Sequence, residues 1–170
     1  MTRLMRKLRL SFHESTKNVG ILPFCSFCAC ALLPSLFFSI LILGRVIYFP
    51  HSLASPPLSW WLYLPLWMLF SVLPAITAAV LYGSLCHRKK RLFSSFLWVL
   101  LSLWSYHAWM LLCLVGAKAV VLFICTFFCA VCALWVIPHA FSASLCAGVS
   151  SFVFALWCSV LFLLSIATLF

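Results

Sequence analysis

The chain has 170 residues, of which 67% are apolar and only 7% charged, and it carries a formal net charge of +10. A water-soluble domain so poor in charge would have nothing to solvate its surface, which excludes the ordinary soluble enzyme or binding module. The basic residues flank apolar segments, so anionic lipid headgroups, and not nucleic acid, are their natural partner.

Residues 1–20 form a basic segment with Arg3, Arg6, Lys7, Arg9 and Lys17. The apolar run behind it is too long for a signal-peptide core, and no small-x-small cleavage site ends it, so a retained first helix is expected. The stretches 18–44, 46–87, 92–117 and 119–170 contain no Asp, Glu, Lys or Arg. A helix needs roughly 20 apolar residues to cross the hydrocarbon core. The first helix is placed at about 21–48. Phe49-Pro50-His51 and Ser55-Pro56-Pro57 form a loop, and the second helix follows at 58–86. The third is placed at 93–115. The last stretch holds two helices, 117–138 and 145–168, broken near Pro138-His139 and Ser142-Ala143-Ser144. The expected fold is an all-α integral membrane protein, a single five-helix transmembrane domain over residues 21–170.

Orientation follows from charge. Five crossings with a cytoplasmic N-terminus put residues 1–20 and the cluster Arg88, Lys89, Lys90 and Arg91 inside, and leave only Arg45 and Lys118 outside. Basic residues remain on the cytoplasmic side during insertion, so this orientation is favoured over its reverse. The kind of membrane is not specified.

Cys25-x-x-Cys28-x-Cys30 has the look of a metal or redox motif. Placed in the first helix among Phe, Leu and Ala, the three thiols are expected to be buried packing residues. Cys125, Cys129 and Cys132 share one face of the fourth helix at i, i+4, i+7, which fits a close-packing stripe better than a ligand set. No metal site is expected. His107 lies well inside the third helix, where it can make an interhelical hydrogen bond, bind a ligand or ligate haem iron. No Asp or Glu lies in a predicted crossing, which argues against ion-coupled transport and intramembrane acid–base chemistry. No P-loop, HExxH or nucleophile elbow is present, and no catalytic residue is assigned.

The tryptophans are unevenly placed. Trp60, Tyr63 and Trp67 share one face of the second helix. Ser102, Ser105, Tyr106 and Trp109 form a mixed polar and aromatic face on the third, and Trp157 lies near the middle of the fifth. Trp and Tyr favour the membrane interface, which explains Trp60 and Trp61. Trp67, Trp104 and Trp157 fall deeper, where such rings either pack helices together or line a cavity for a large, flat, apolar ligand.

The motif Ser55-Pro56-Pro57 followed by Trp61-x3-Pro65-x-Trp67 resembles the second-helix signature of the tryptophan-rich sensory protein or translocator protein family, TspO/MBR, also called the peripheral-type benzodiazepine receptor family. Ala108-Trp109 with Gly116-Ala117-Lys118 is similar to the family's close of helix 3, and Phe154-Ala155-Leu156-Trp157 to its helix-5 motif. Short motifs over about residues 21–170 carry the resemblance. The family's polar helix-3 positions correspond to Ser102 and Tyr106 here, its late helix-5 Asn to Ser165, and its C-terminal basic tail is missing. Val80-Leu81-Tyr82 with Arg88 fits the loose cholesterol-recognition pattern.

The resemblance implies a membrane receptor, sensor or carrier for tetrapyrroles such as porphyrin or haem, with sterol-like ligands for some members. It requires no cofactor beyond such a bound porphyrin or haem. The expected ligand-binding residues are Trp61, Pro65, Trp67, Ser102, Trp109 and Trp157, with Tyr106 added from its helical register with Ser102 and Trp109, around a cavity in the outer half of the bundle, opening toward the loop between helices 1 and 2, near Arg45 or His51. Two other readings stand beside it: a porphyrin-degrading membrane enzyme, and a small structural membrane protein without a ligand. A homodimer is compatible with all three.

Overall fold

The computed structural model describes residues 6–7, 10, 20–43, 60–86, 92–115 and 117–167. Five long helices account for nearly all of them: α1 (Ile21–Leu43), α2 (Trp60–Cys86), α3 (Phe93–Val115), α4 (Ala119–Ala143) and α5 (Leu145–Ala167). The loop around 49–57, Arg45, His51, Gly116 and the cluster 88–91 lie outside the described residues, as do the side chains of Trp60, Trp61 and Tyr63.

Four of the helices are long and apolar enough to cross a membrane, and α1 adds a described apolar run from Ile21 to Phe37. At 1.5 Å per residue, the 23 residues of α1 rise about 34 Å, the order of a bilayer core. In such a setting every backbone N–H and C=O must be satisfied within the chain, which a helix does and an extended segment does not. The protein is a multi-pass, all-α integral membrane protein. Large apolar side chains cover its outside, among them Leu36, Ile40, Val120, Ile124, Trp135, Leu156 and Leu163, and this is the surface that meets lipid.

Pro34, Pro65, Pro74 and Pro138 all lie inside helices. The fourth helix was expected to end at Pro138; it runs on to Ala143. Proline removes one hydrogen bond, but in lipid the helix is still the cheapest way to satisfy the remaining backbone groups, so the chain continues through it. The break falls on one residue. Ser144 is extended (φ −164°, ψ 151°), and its N–H donates to Ala140 O as the last bond of α4. Its hydroxyl then accepts the N–H of Ala147 at 3.2 Å, which caps the start of α5. Across this tight turn the ring of Phe141 fills the space a side chain would need at Gly148, where a Cβ would meet the ring at 2.3 Å.

Helices α2, α3, α4 and α5 form a closed ring of neighbours, and α1 packs on the outside of α2 with only slight contact to α3. Two buried clusters fill the ring. One combines Ala78, Val80 and Leu81 of α2 with Val99 of α3, Val136 and Ala140 of α4 and Ala147 of α5. The other combines Trp67 of α2, Tyr106 and Met110 of α3, Cys129, Ala130 and Ala133 of α4, and Phe154, Ala155, Cys158 and Leu161 of α5. Small residues set the helix spacing. Between tightly packed membrane helices, dispersion contacts and a few polar bonds replace the hydrophobic drive available in water. Among those bonds are Thr126 Oγ1 to Ser165 Oγ at 2.8 Å between α4 and α5, Ser35 Oγ to Ser71 Oγ at 3.1 Å between α1 and α2, and Thr77 Oγ1, which donates to Ala147 O at 3.3 Å between α2 and α5.

The expectation of buried packing cysteines divides in two. In the α4 stripe Cys129 and Cys132 are buried and Cys125 is half-buried, and Cys129 Sγ donates to Ser102 O at 3.4 Å while lying 3.5 Å from the buried Cys158 Sγ. Cys25 and Cys30 are exposed, and Cys28 is half-buried. The correction has a simple cause: α1 is peripheral, so among its described side chains only Ala31 and Ser35 are buried, and Cys25 and Cys30 stay exposed.

Candidate functional site

The structure brings together four of the seven residues implied as ligand contacts. Trp157 Nε1 donates to Tyr106 Oη at 3.1 Å, and the Trp157 ring stacks on Phe70 at 4.4 Å and 2°. Tyr106 meets Phe154 edge-on at 5.6 Å and lies near-parallel to Trp109 at 6.5 Å. Trp67, 2% exposed, packs into the same cluster. Ser102 is buried and turns back on its own helix, donating to Val99 O at 2.8 Å. Pro65 is exposed on α2. Trp61 lies in the first turn of α2, its side chain outside the description.

These residues meet as packing, ring on ring. The gaps between Tyr106, Trp109, Thr126, Cys129, Cys158 and Leu161 total about 170 Å³ and have no room for a water molecule. A tetrapyrrole would have to displace this whole cluster to enter it.

Open space lies elsewhere. A cavity of about 740 Å³ separates α1 from α3, with Tyr82 of α2 at its back. That size falls within the roughly 300–1,000 Å³ typical of small-molecule sites. Its α1 wall is Pro23, Phe27, Cys30 and Pro34, and its α3 wall Leu100, Trp104, His107 and Leu111, joined by Ser26, Leu103 and Ala108. Both walls follow the same spacing, i, i+4, i+7, i+11, which is one face of a helix over about 16 Å of rise. The groove exists because α1 leans on α2 and not on α3. It runs along the first half of α1, the end of α2 and the middle and second half of α3.

Its lining is almost wholly apolar. Ser26 donates to Leu22 O at 2.9 Å and so is spent on its own helix. Phe27, Tyr82 and Phe96 form an aromatic triangle with centroids 5.6–6.2 Å apart at one end. Trp104, 74% exposed, stands at the rim. His107 forms part of the floor, edge-on to Trp67 at 5.9 Å. Its ring nitrogens are buried against the backbone of Ala31 on α1, without a hydrogen bond of good geometry. A buried polar nitrogen without a sound partner is costly.

Of the groove residues, the sequence reading had picked out Cys30, Tyr82, Trp104, His107 and Ala108 in separate contexts and missed the groove. The signal was there: a His in an otherwise apolar helical stripe on α3, matched by a Pro, Phe, Cys and Pro stripe on α1. What could not be read was that these two stripes face each other. Among the described residues no three His, Cys, Asp or Glu side chains gather as a metal site. Comparison with protein-family models, with curated proteins and with solved structures returns no match.

Proposed function

We propose that this protein is a membrane receptor or carrier for a flat hydrophobic ligand of the tetrapyrrole type, held in the groove between α1 and α3. The observation that carries this reading is the groove itself: about 740 Å³, apolar, and bordered by Phe27, Tyr82 and Trp104. An apolar ligand dissolved in the bilayer reaches such a site sideways, without crossing water. Flat rings gain from stacking on aromatic side chains beyond simple burial. The likeness of Trp61-x3-Pro65-x-Trp67 to the TspO/MBR signature supports the same ligand class, while locating it in a region that is here filled by side chains.

The ligand's carboxylates, in this reading, reach the cytoplasmic interface, where the sequence supplies Arg88, Lys89, Lys90 and Arg91 between α2 and α3. Binding is the activity proposed; no Asp or Glu in the five helices offers acid–base chemistry.

The packed cluster around Tyr106 favours one alternative, a structural protein whose aromatic motif only holds helices together. Titration of the purified protein in nanodiscs with protoporphyrin, followed by quenching of tryptophan fluorescence, separates the two. Saturable quenching that is weakened by Trp104→Ala supports the groove. Absence of saturable binding moves the assignment to the structural reading.

A further inference from the structure

A feature of α1 and a feature of α3 meet at one level of the groove. Pro34 lies inside α1 and has no N–H to give the carbonyl of Cys30, four residues earlier, so that carbonyl loses its helical donor. In lipid, backbone groups freed by a proline are satisfied by a neighbouring helix. The neighbour here is His107 of α3, which lies against the backbone of Ala31, the residue after Cys30. A neutral imidazole carries one N–H donor. Both ring nitrogens of His107 are buried, and neither makes a hydrogen bond of good geometry. A donor without a sound acceptor therefore stands beside an acceptor that has lost its donor.

The rest of α1 shows what can move. Ser35, next to Pro34, is tied to Ser71 of α2 at 3.1 Å. The residues before Pro34 carry the groove wall Pro23, Phe27 and Cys30, and α1 touches α3 only slightly. Sharp bends in helices fall at proline. Free wall, hinge and anchor thus follow one another along the chain. The wall has a contact to close on, because Phe27 already meets Phe96 of α3 edge-on at 5.9 Å.

We infer that the part of α1 before Pro34 is a strap that closes over the groove. A small swing toward α3, pivoting at Pro34 beside the Ser35–Ser71 tie, lets His107 donate to the carbonyl of Cys30. The same swing tightens the Phe27–Phe96 contact and narrows the groove. Opening breaks the bond to His107 and widens the groove again. The device belongs to the two helices, whatever ligand the groove takes.

The test reads closure with no ligand present, so its outcome leaves the receptor reading to its own titration. The full chain in nanodiscs is treated with N-ethylmaleimide, and the alkylation rates of Cys30 and Cys25 are followed by mass spectrometry. Both thiols are exposed on α1, but Cys30 lines the groove and Cys25 does not, so the ratio of their rates reports closure. His107→Leu should raise the Cys30 to Cys25 ratio roughly threefold, the effect of one interhelical hydrogen bond. His107→Gln keeps an N–H donor and should stay near the unaltered ratio. Pro34→Ala returns an N–H to the Cys30 carbonyl and stiffens the hinge, so the ratio should rise as in His107→Leu. The double variant Pro34→Ala, His107→Leu should rise no further. An unchanged ratio in Pro34→Ala overturns the strap, even where the His107 variants fail to fold. Equal ratios in His107→Leu and His107→Gln, or effects that multiply in the double variant, overturn it as well.

Discussion

The two aromatic regions of this protein are built from similar side chains and come to opposite ends. Around Tyr106, rings from α2, α3 and α5 interlock with small residues of α4 and α5, and the space closes. Between α1 and α3, rings of the same kinds line an opening of about 740 Å³. The difference lies in the neighbours. Ala130, Ala133, Ala155 and Cys158 let α4 and α5 draw in close, whereas α1 is tied to α2 through Ser35 and Ser71 and touches α3 only slightly, where the backbone of Ala31 meets His107. An aromatic stripe therefore does not announce a pocket; the residues opposite it decide whether it is filled.

The largest effect that would test this contrast is on stability. Tyr106→Ala removes a fully buried ring that touches Phe154 and Trp109 and accepts the Trp157 N–H. It should cost about 3–5 kcal/mol, the range for buried aromatic truncation. Trp104→Ala, at an exposed position on the groove rim, should cost within about 0.5 kcal/mol. Thermal unfolding in one detergent, read by circular dichroism, compares them directly; equal losses would erase the distinction between packed core and open groove.

Ligand binding should show the reverse order. Trp104→Ala should weaken protoporphyrin binding roughly tenfold, by loss of stacking and buried area. Trp157→Phe keeps the ring on Phe70 and should leave that affinity unchanged. A larger binding loss in Trp157→Phe than in Trp104→Ala would return the site to the region the family resemblance implies.

Gly148 sharpens the same comparison from the side of packing. In Gly148→Ala the new methyl meets the Phe141 ring, which must swing away, so a loss of about 1–3 kcal/mol is expected. The double variant Gly148→Ala, Phe141→Ala should recover part of it. If the single change is neutral, the α4–α5 turn is looser than the structure has it.

The smallest effect concerns a polar pair. Thr126→Val removes the 2.8 Å bond to Ser165 in the interior. Interhelical bonds in membranes average about 0.6 kcal/mol, so a loss near that size is expected in a double-mutant cycle with Ser165→Ala. A coupling of several kcal/mol would mean that polar bonds, and not close packing, hold the ring of helices shut.

The sequence by itself determined that the chain crosses a membrane as helices, and nearly where. Charge-free stretches of sufficient length leave the backbone no other way to satisfy its hydrogen bonds, so all five helices start within two residues of their expected positions. It was less informative at Pro138, because a proline that ends a helix in water can be carried through in lipid; the stop came at Ser144, whose hydroxyl caps the next helix. It also gave the two helical stripes that line the groove, through their i, i+4, i+7, i+11 spacing, but not their partnership. Only the tertiary structure decided that Trp67, Tyr106 and Trp157 fill space while Phe27, Trp104 and His107 border it. Spacing fixes which residues share a face of one helix; which face another helix covers depends on how closely side chains of several segments let their backbones approach.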